Sequence, residues 1–135
     1  MAKFTARSFD ICAVGAQDNS FAVSANGLAG AAVTLTIPHD SVNVIYITGI
    51  IISTGAPTAN QVATATLAGL TQNSGGSGTL SFVVTESATT GGQLDLSIVD
   101  PIPSKDALTD VVLSFPAVAS GAIVALTLLG YRRPE

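Results

Sequence analysis

Residues 44–54 read VIYITGIIIST; nine of these eleven are apolar, β-branched or aromatic, and none is charged. Such side chains suit a pleated strand. A strand in a two-layer protein buries one face and wets the other, so its apolar residues should alternate. Here they do not. Val44, Tyr46, Ile50 and Ile52 fall on one parity, and Ile45, Ile47 and Ile51 on the other. The end of the chain has the same look, with Ile123, Ala125 and Leu129 set against Val124, Leu126 and Leu128. Two strands that are apolar on both faces need a third layer, and the expectation is that another subunit supplies it. Ile45, Ile47 and Ile51 are then the subunit-interface residues. The other candidate cover for that face is the chain's own N-terminal segment.

Strand signals recur on both sides of this stretch at short spacing. Residues 20–25 (SFAVSA) run into Asn26-Gly27, a turn dipeptide. Residues 31–37 (AAVTLTI) alternate Val33, Leu35 and Ile37 with Thr34 and Thr36, and Pro38 ends them. The long strand over residues 42–54 closes at Gly-Ala-Pro. Further strands are read at residues 61–69, 79–86, 93–99, 111–115 and 121–132, with a Pro-bounded loop over 100–110. No interval is long enough for a crossover helix, which argues against a parallel sheet. The expected fold is all-β, an antiparallel eight-stranded jelly-roll β-sandwich. An immunoglobulin-like sandwich is the alternative, although its Cys…Trp…Cys pattern is absent. Residues 1–135 read as a single jelly-roll domain with an N-terminal arm over about residues 1–18.

Charged residues make up 10% of the chain, against roughly 25% in ordinary soluble domains. Mean hydropathy is +0.55 and the formal net charge is −4. A dispersed monomer relies on a mixed charged surface. A surface of Ser, Thr, Ala, Asn and Gln suits a chain packed against copies of itself or a larger assembly. Four of the five bases, Lys3, Arg7, Arg132 and Arg133, stand near the ends. With Phe4 and Phe9 as apolar anchors, they are the expected partner-contact residues. Between Ser8 and Ser104 there is no base at all, so the body cannot track a phosphate backbone and no nucleic-acid partner is expected. The longest apolar run is too short for a membrane helix, and the first residues do not read as a signal peptide. Cys12 is alone, so neither an internal disulfide nor a cysteine zinc site is expected, and synthesis in a reducing cytoplasm fits.

The side-chain inventory argues against an enzyme. His39-Asp40-Ser41 has the residue types of a hydrolase triad, but adjacent residues in a turn cannot take up its geometry. The segment 38–41 is instead expected to be a turn in which Asp40 and Ser41 bond local backbone. The Gly-rich residues 73–78 (NSGGSG) lack the Lys-Ser/Thr ending of a phosphate loop. Asp95, Asp100, Asp106 and Asp110 match no EF-hand spacing. No cofactor, metal or small-molecule substrate is expected.

Residues 33–69 (VTLTIPHDSVNVIYITGIIISTGAPTANQVATATLAG) resemble a recurrent pattern in small structural proteins of tailed bacteriophages. In that pattern a Thr-rich strand ends at Pro, and a turn leads to an I-x-I-T-G-I strand, a G-x-P loop and a Thr/Ala strand. Residues 122–135 (AIVALTLLGYRRPE) look like the last strand of the same proteins. The resemblance implies a jelly-roll decoration, or cement, protein: a virion structural protein, usually trimeric, bound to the major capsid protein at the surface of an icosahedral capsid. At the turn, Asp40-Ser41-Val42 stand where a basic residue is expected, so no site is carried over there. The alternative is a tail-associated or host-recognition module. Its receptor-binding loops should be aromatic or charged, and residues 71–79 and 88–92 are neither.

Overall fold

Eight strands form, close to the boundaries set by Gly, Pro and Asn. The computed structural model describes residues 20–27, 30–117 and 123–135. Its strands are β1 (Ser20–Asn26), β2 (Val33–Ile37), β3 (Asn43–Thr54), β4 (Gln61–Thr71), β5 (Ser77–Glu86), β6 (Gly92–Pro103), β7 (Val111–Phe115) and β8 (Val124–Pro134). They build two four-stranded antiparallel sheets, ordered β1-β8-β3-β6 and β2-β7-β4-β5. The protein is an all-β, eight-stranded antiparallel sandwich. Its pairing is nested: β1 with β8, β2 with β7, β3 with β6 and β4 with β5. The chain is in effect one long hairpin, reversing at residues 72–76 and wound so that its paired lengths fall in alternate sheets.

The core lies between the sheets and is supplied mainly by the central strands. Val111, Leu113 and Phe115 of β7 meet Val124, Leu126 and Leu128 of β8, with Leu67 of β4 and Ile50 and Ile52 of β3 among them. The edge strands β1 and β6 have no fully buried residue.

The doubly apolar stretch is explained by a β-bulge. Ile47 pairs with Gly130 and Gly49 with Leu129, so Thr48 is an extra residue and the side-chain parity reverses at it. Ile45 and Ile47 before the bulge, and Ile50 and Ile52 after it, all point into the core and are 0% exposed. The expectation that Ile45 and Ile47 face another subunit is therefore corrected: the bulge puts both inside their own sandwich. Ile51 remains on the outer face, half-buried. The two faces of β8 are likewise unequal, with Val124, Leu126 and Leu128 sealed and Ala125, Thr127 and Leu129 half-buried.

Two further departures follow from similar irregularities. In β4 the register shifts between Ala68 and Leu70, so Leu67 and Leu70 both turn inward. The bulge residue Gly69 has φ +88°, and a Cβ there would stand 2.0 Å from the Asp110 carbonyl oxygen. Only glycine lets the β6–β7 connection approach so closely. In β6, Ser97 lies opposite Gly49 and Ile102 opposite Ile47, so residues 98–101 are an insertion opposite Thr48, from which Ile98 still packs on the core. The strand resumes through Pro103, within the stretch expected to be a loop.

Candidate interaction surfaces

Among the described residues, the outer face of the second sheet carries no charge. Alternation places Thr34 and Thr36 of β2 outward, and the register aligns them with Ser114 and Val112 of β7. These continue to Thr66 and Ala68 of β4, and then to Ser81 and Thr79 of β5. Thr34, Ser114, Thr66 and Ser81 thus form one row of hydroxyls across the whole sheet. Val62 and Val83, 64% and 65% exposed, stand toward the β5 side of the same face. No ionised group has to be stripped of water when such a face is covered, and its hydroxyls can each donate and accept.

The outer face of the first sheet is partly apolar. Tyr46 and Tyr131 stack there with ring centroids 5.1 Å apart and planes 10° from parallel. The Arg133 guanidinium stands over the Tyr131 ring at 5.7 Å. Leu129 lies across Gly49, its Cδ1 2.9 Å from where a Cβ would sit. Ile51 pairs with Thr127 and Asp95 on this face.

Charge is concentrated at the end of the sandwich where β8 finishes and β1 begins. Three aspartates there fasten loops. Asp40 accepts from the backbone N–H groups of Val42 (2.9 Å) and Asn43 (2.7 Å) and from Asn43 Nδ2 (2.8 Å). These bonds, led by the Asn43 side chain, hold its carboxyl well below the ordinary aspartate range. Ser41 takes φ +71° to make the turn. Asp106 accepts from Thr109 Oγ1, Lys105 Nζ and the Leu108 N–H, which lower its pKa. Asp110 is lowered by the His39 N–H at 2.8 Å and the His39 ring Nδ1 at 2.7 Å. Ser104 closes the end: its N–H donates to the Ile45 carbonyl at 2.7 Å, and its Oγ accepts from the Ile45 N–H at 3.1 Å.

In the 38–41 turn Asp40 bonds local backbone, as its residues indicated, whereas the Ser41 N–H donates to the distant Ala107 carbonyl at 3.0 Å. His39 pairs with Asp110, not with Asp40 or Ser41. An imidazole oriented by a carboxylate is half of a hydrolytic arrangement. Among the described residues, His39 makes no hydrogen bond through Nε2 to a hydroxyl or thiol.

Of the expected partner-contact residues, Lys3, Phe4, Arg7 and Phe9 lie outside the described residues. Arg132 is committed to its own chain. Its Nη2 donates to the Pro38 carbonyl at 2.8 Å, and Nη1 stands 3.4 Å from Asp40 Oδ2. Arg132 follows Val124, Leu126, Leu128 and Gly130 on the inward parity of β8, so it folds over the sandwich end. Arg133, one residue on, is exposed. Glu86 escaped the sequence reading. It is 0% exposed at the opposite end, with Oε1 accepting from Gln61 Nε2 at 2.8 Å and Oε2 without a hydrogen-bond partner among the described residues. Its inward parity with Val84 was the available signal. The chain matches no family model and no curated protein.

Proposed function

We propose that this is a non-enzymatic virion protein of a tailed bacteriophage. It is a jelly-roll decoration or cement protein that assembles as a homotrimer on an icosahedral capsid, binds the major capsid protein and stabilises the shell. It is made in the host cytoplasm and resides at the capsid surface. The nested pairing of β1–β8, β2–β7, β3–β6 and β4–β5 supports the jelly-roll reading, since winding such a hairpin yields that fold. The observation that carries the assembly reading is the charge-free outer face of the second sheet. A surface of hydroxyls and methyls, crossed by the row from Thr34 to Ser81, loses little on being covered. A freely dispersed protein gains nothing from leaving a whole sheet without charge.

The test is the ratio of this protein to the major capsid protein in purified particles, together with sedimentation of the isolated protein. Comparable copy numbers and a trimer are expected. A copy number matching a tail component would overturn the capsid reading in favour of the tail-associated or host-recognition module. A monomer at micromolar concentration would overturn self-assembly.

A further inference from the structure

The side of the sandwich where β5 and β6 meet is unfinished. Each is an edge strand, one in each sheet. Their inward residues Leu80, Phe82, Leu94, Leu96, Ile98 and Ile102 are partly exposed, whereas Val84 and Glu86 at the far end of β5 are buried. The inward residues of the neighbouring β3 and β4 are sealed. At the charged end the seam opens into a cleft of about 320 Å³, with Leu70, Leu80 and Ile102 in its wall. An exposed edge strand offers a row of unpaired N–H and C=O groups, and proteins shield it with charge, proline or brevity. β6 has Asp95, Asp100, Pro101 and Pro103, and β2 is five residues long. β5 has ten residues, no proline, and no charge except the buried Glu86.

The seam therefore suits an extended segment with apolar side chains and positive charge. Asp95 and Asp100 on its rim are exposed, and neither is in an ion pair among the described residues. Residues 1–19 of the chain have the matching chemistry: Phe4, Phe9 and Ile11 with Lys3 and Arg7. They lead into Ser20, at the same end of the molecule as the cleft. Nineteen residues span at most about 60 Å when extended. The subunit's own seam lies at the far edge of its sheets from β1. The path there is crossed by loops 38–42 and 104–110, joined by the Ser41 N–H to the Ala107 carbonyl at 3.0 Å. A neighbouring copy can present its seam without that obstruction.

We propose that residues 3–11 of one copy add as a strand to β5 of the next, seating Phe9 in the cleft beside Leu80 and placing Lys3 and Arg7 near Asp95 and Asp100. Each subunit gives one segment and receives one, so the contact is head-to-tail, the kind that closes as a ring when the rotation between copies allows. The inference rests on the self-assembly proposed above and names the surfaces that make it.

The test uses the full chain with Cys12→Ser, Phe9→Cys and Leu80→Cys. A disulfide needs Cα atoms within about 7 Å. Mild oxidation should link chains to one another, and a control with Val62→Cys in place of Leu80→Cys should link at least tenfold less. Deleting residues 1–11 should leave the β-type circular dichroism intact and weaken self-association at least tenfold. A link formed within one chain would overturn the proposal, as would equal linking at Val62 or an oligomer unchanged by the deletion. In each of those cases self-assembly itself would stand. A wild-type monomer would overturn both readings. If the truncated chain fails to fold, the cysteine pair still decides.

Discussion

Ile47 and Ile50 point into the same core although they are three residues apart, a spacing that a regular strand assigns to opposite faces. Thr48, the extra residue between their pairings with Gly130 and Leu128, reverses the parity. The Ile-rich stretch thus has one buried face that changes parity midway. A bulge also increases local twist, and here it coincides with the unpaired residues 98–101 of the neighbouring strand.

Ile47 and Ile51 should accordingly respond very differently to the same change. Ile47→Ala opens a cavity in a sealed site and should cost about 2–5 kcal/mol in urea unfolding. Ile51→Ala, on the outer face, should cost under about 1 kcal/mol. Similar losses at both positions would mean that the face carrying Ile51 is buried within the folded chain as well.

Gly130 should tolerate no side chain. A Cβ there would stand 2.1 Å from the Tyr46 carbonyl oxygen and 2.8 Å from Phe21 Cζ. The oxygen belongs to the β3–β8 pairing and cannot yield without breaking it. Gly130→Ala is expected to cost about 3 kcal/mol, the upper end for overpacking. Gly75→Ala meets nothing within 4 Å and pays only for its φ of +82°, about 1 kcal/mol. Thermal unfolding of the two variants separates the effects, and equal midpoints would contradict the close approach at Gly130.

Strand positions were legible because Asn26-Gly27, Pro38 and the Gly55–Pro57 segment punctuate the chain. The alternation of Thr34 and Thr36 with Val33, Leu35 and Ile37 likewise showed an uncharged outer face. The parity switch at Thr48 was not legible, because a bulge is set by the partner strand's register and not by the bulged residue alone. The same holds for the charged end. His39 and Asp110 are 71 positions apart, and only the winding of the chain makes them neighbours. Arg132 looked like a free terminal base because nothing local shows that its parity aims it at Pro38.

Glu86 is buried with one carboxylate oxygen unpartnered among the described residues, and burying an ionisable group without full compensation costs stability. Glu86→Gln keeps the shape and the acceptor for Gln61, and should raise the thermal midpoint by a few degrees, on the order of 1 kcal/mol. Gln61→Ala removes the donor at 2.8 Å and should destabilise by about 1–3 kcal/mol. A lowered midpoint for Glu86→Gln would show that the second oxygen is satisfied in the folded protein.

Acid should loosen the charged end first. Asp40, Asp106 and Asp110 all have carboxyls held below the ordinary aspartate value of 3.8 by hydrogen bonds that exist only in the folded chain. Unfolding releases those bonds, so the unfolded chain binds protons more readily. Their contribution is therefore complete above the unfolded value and is lost as pH falls below it, toward the folded values. The thermal midpoint should be insensitive to these groups above about pH 5 and should drop below about pH 4. Asp40→Asn removes the carboxylate that faces Val42, Asn43 and Arg132. The variant should melt lower than wild type at pH 7 and fall less steeply in acid, so that the gap between the two curves narrows progressively as pH drops below the unfolded value of 3.8. Midpoints that run parallel across the whole range would assign the acid sensitivity to other carboxylates and leave the Asp40 turn without a share in it.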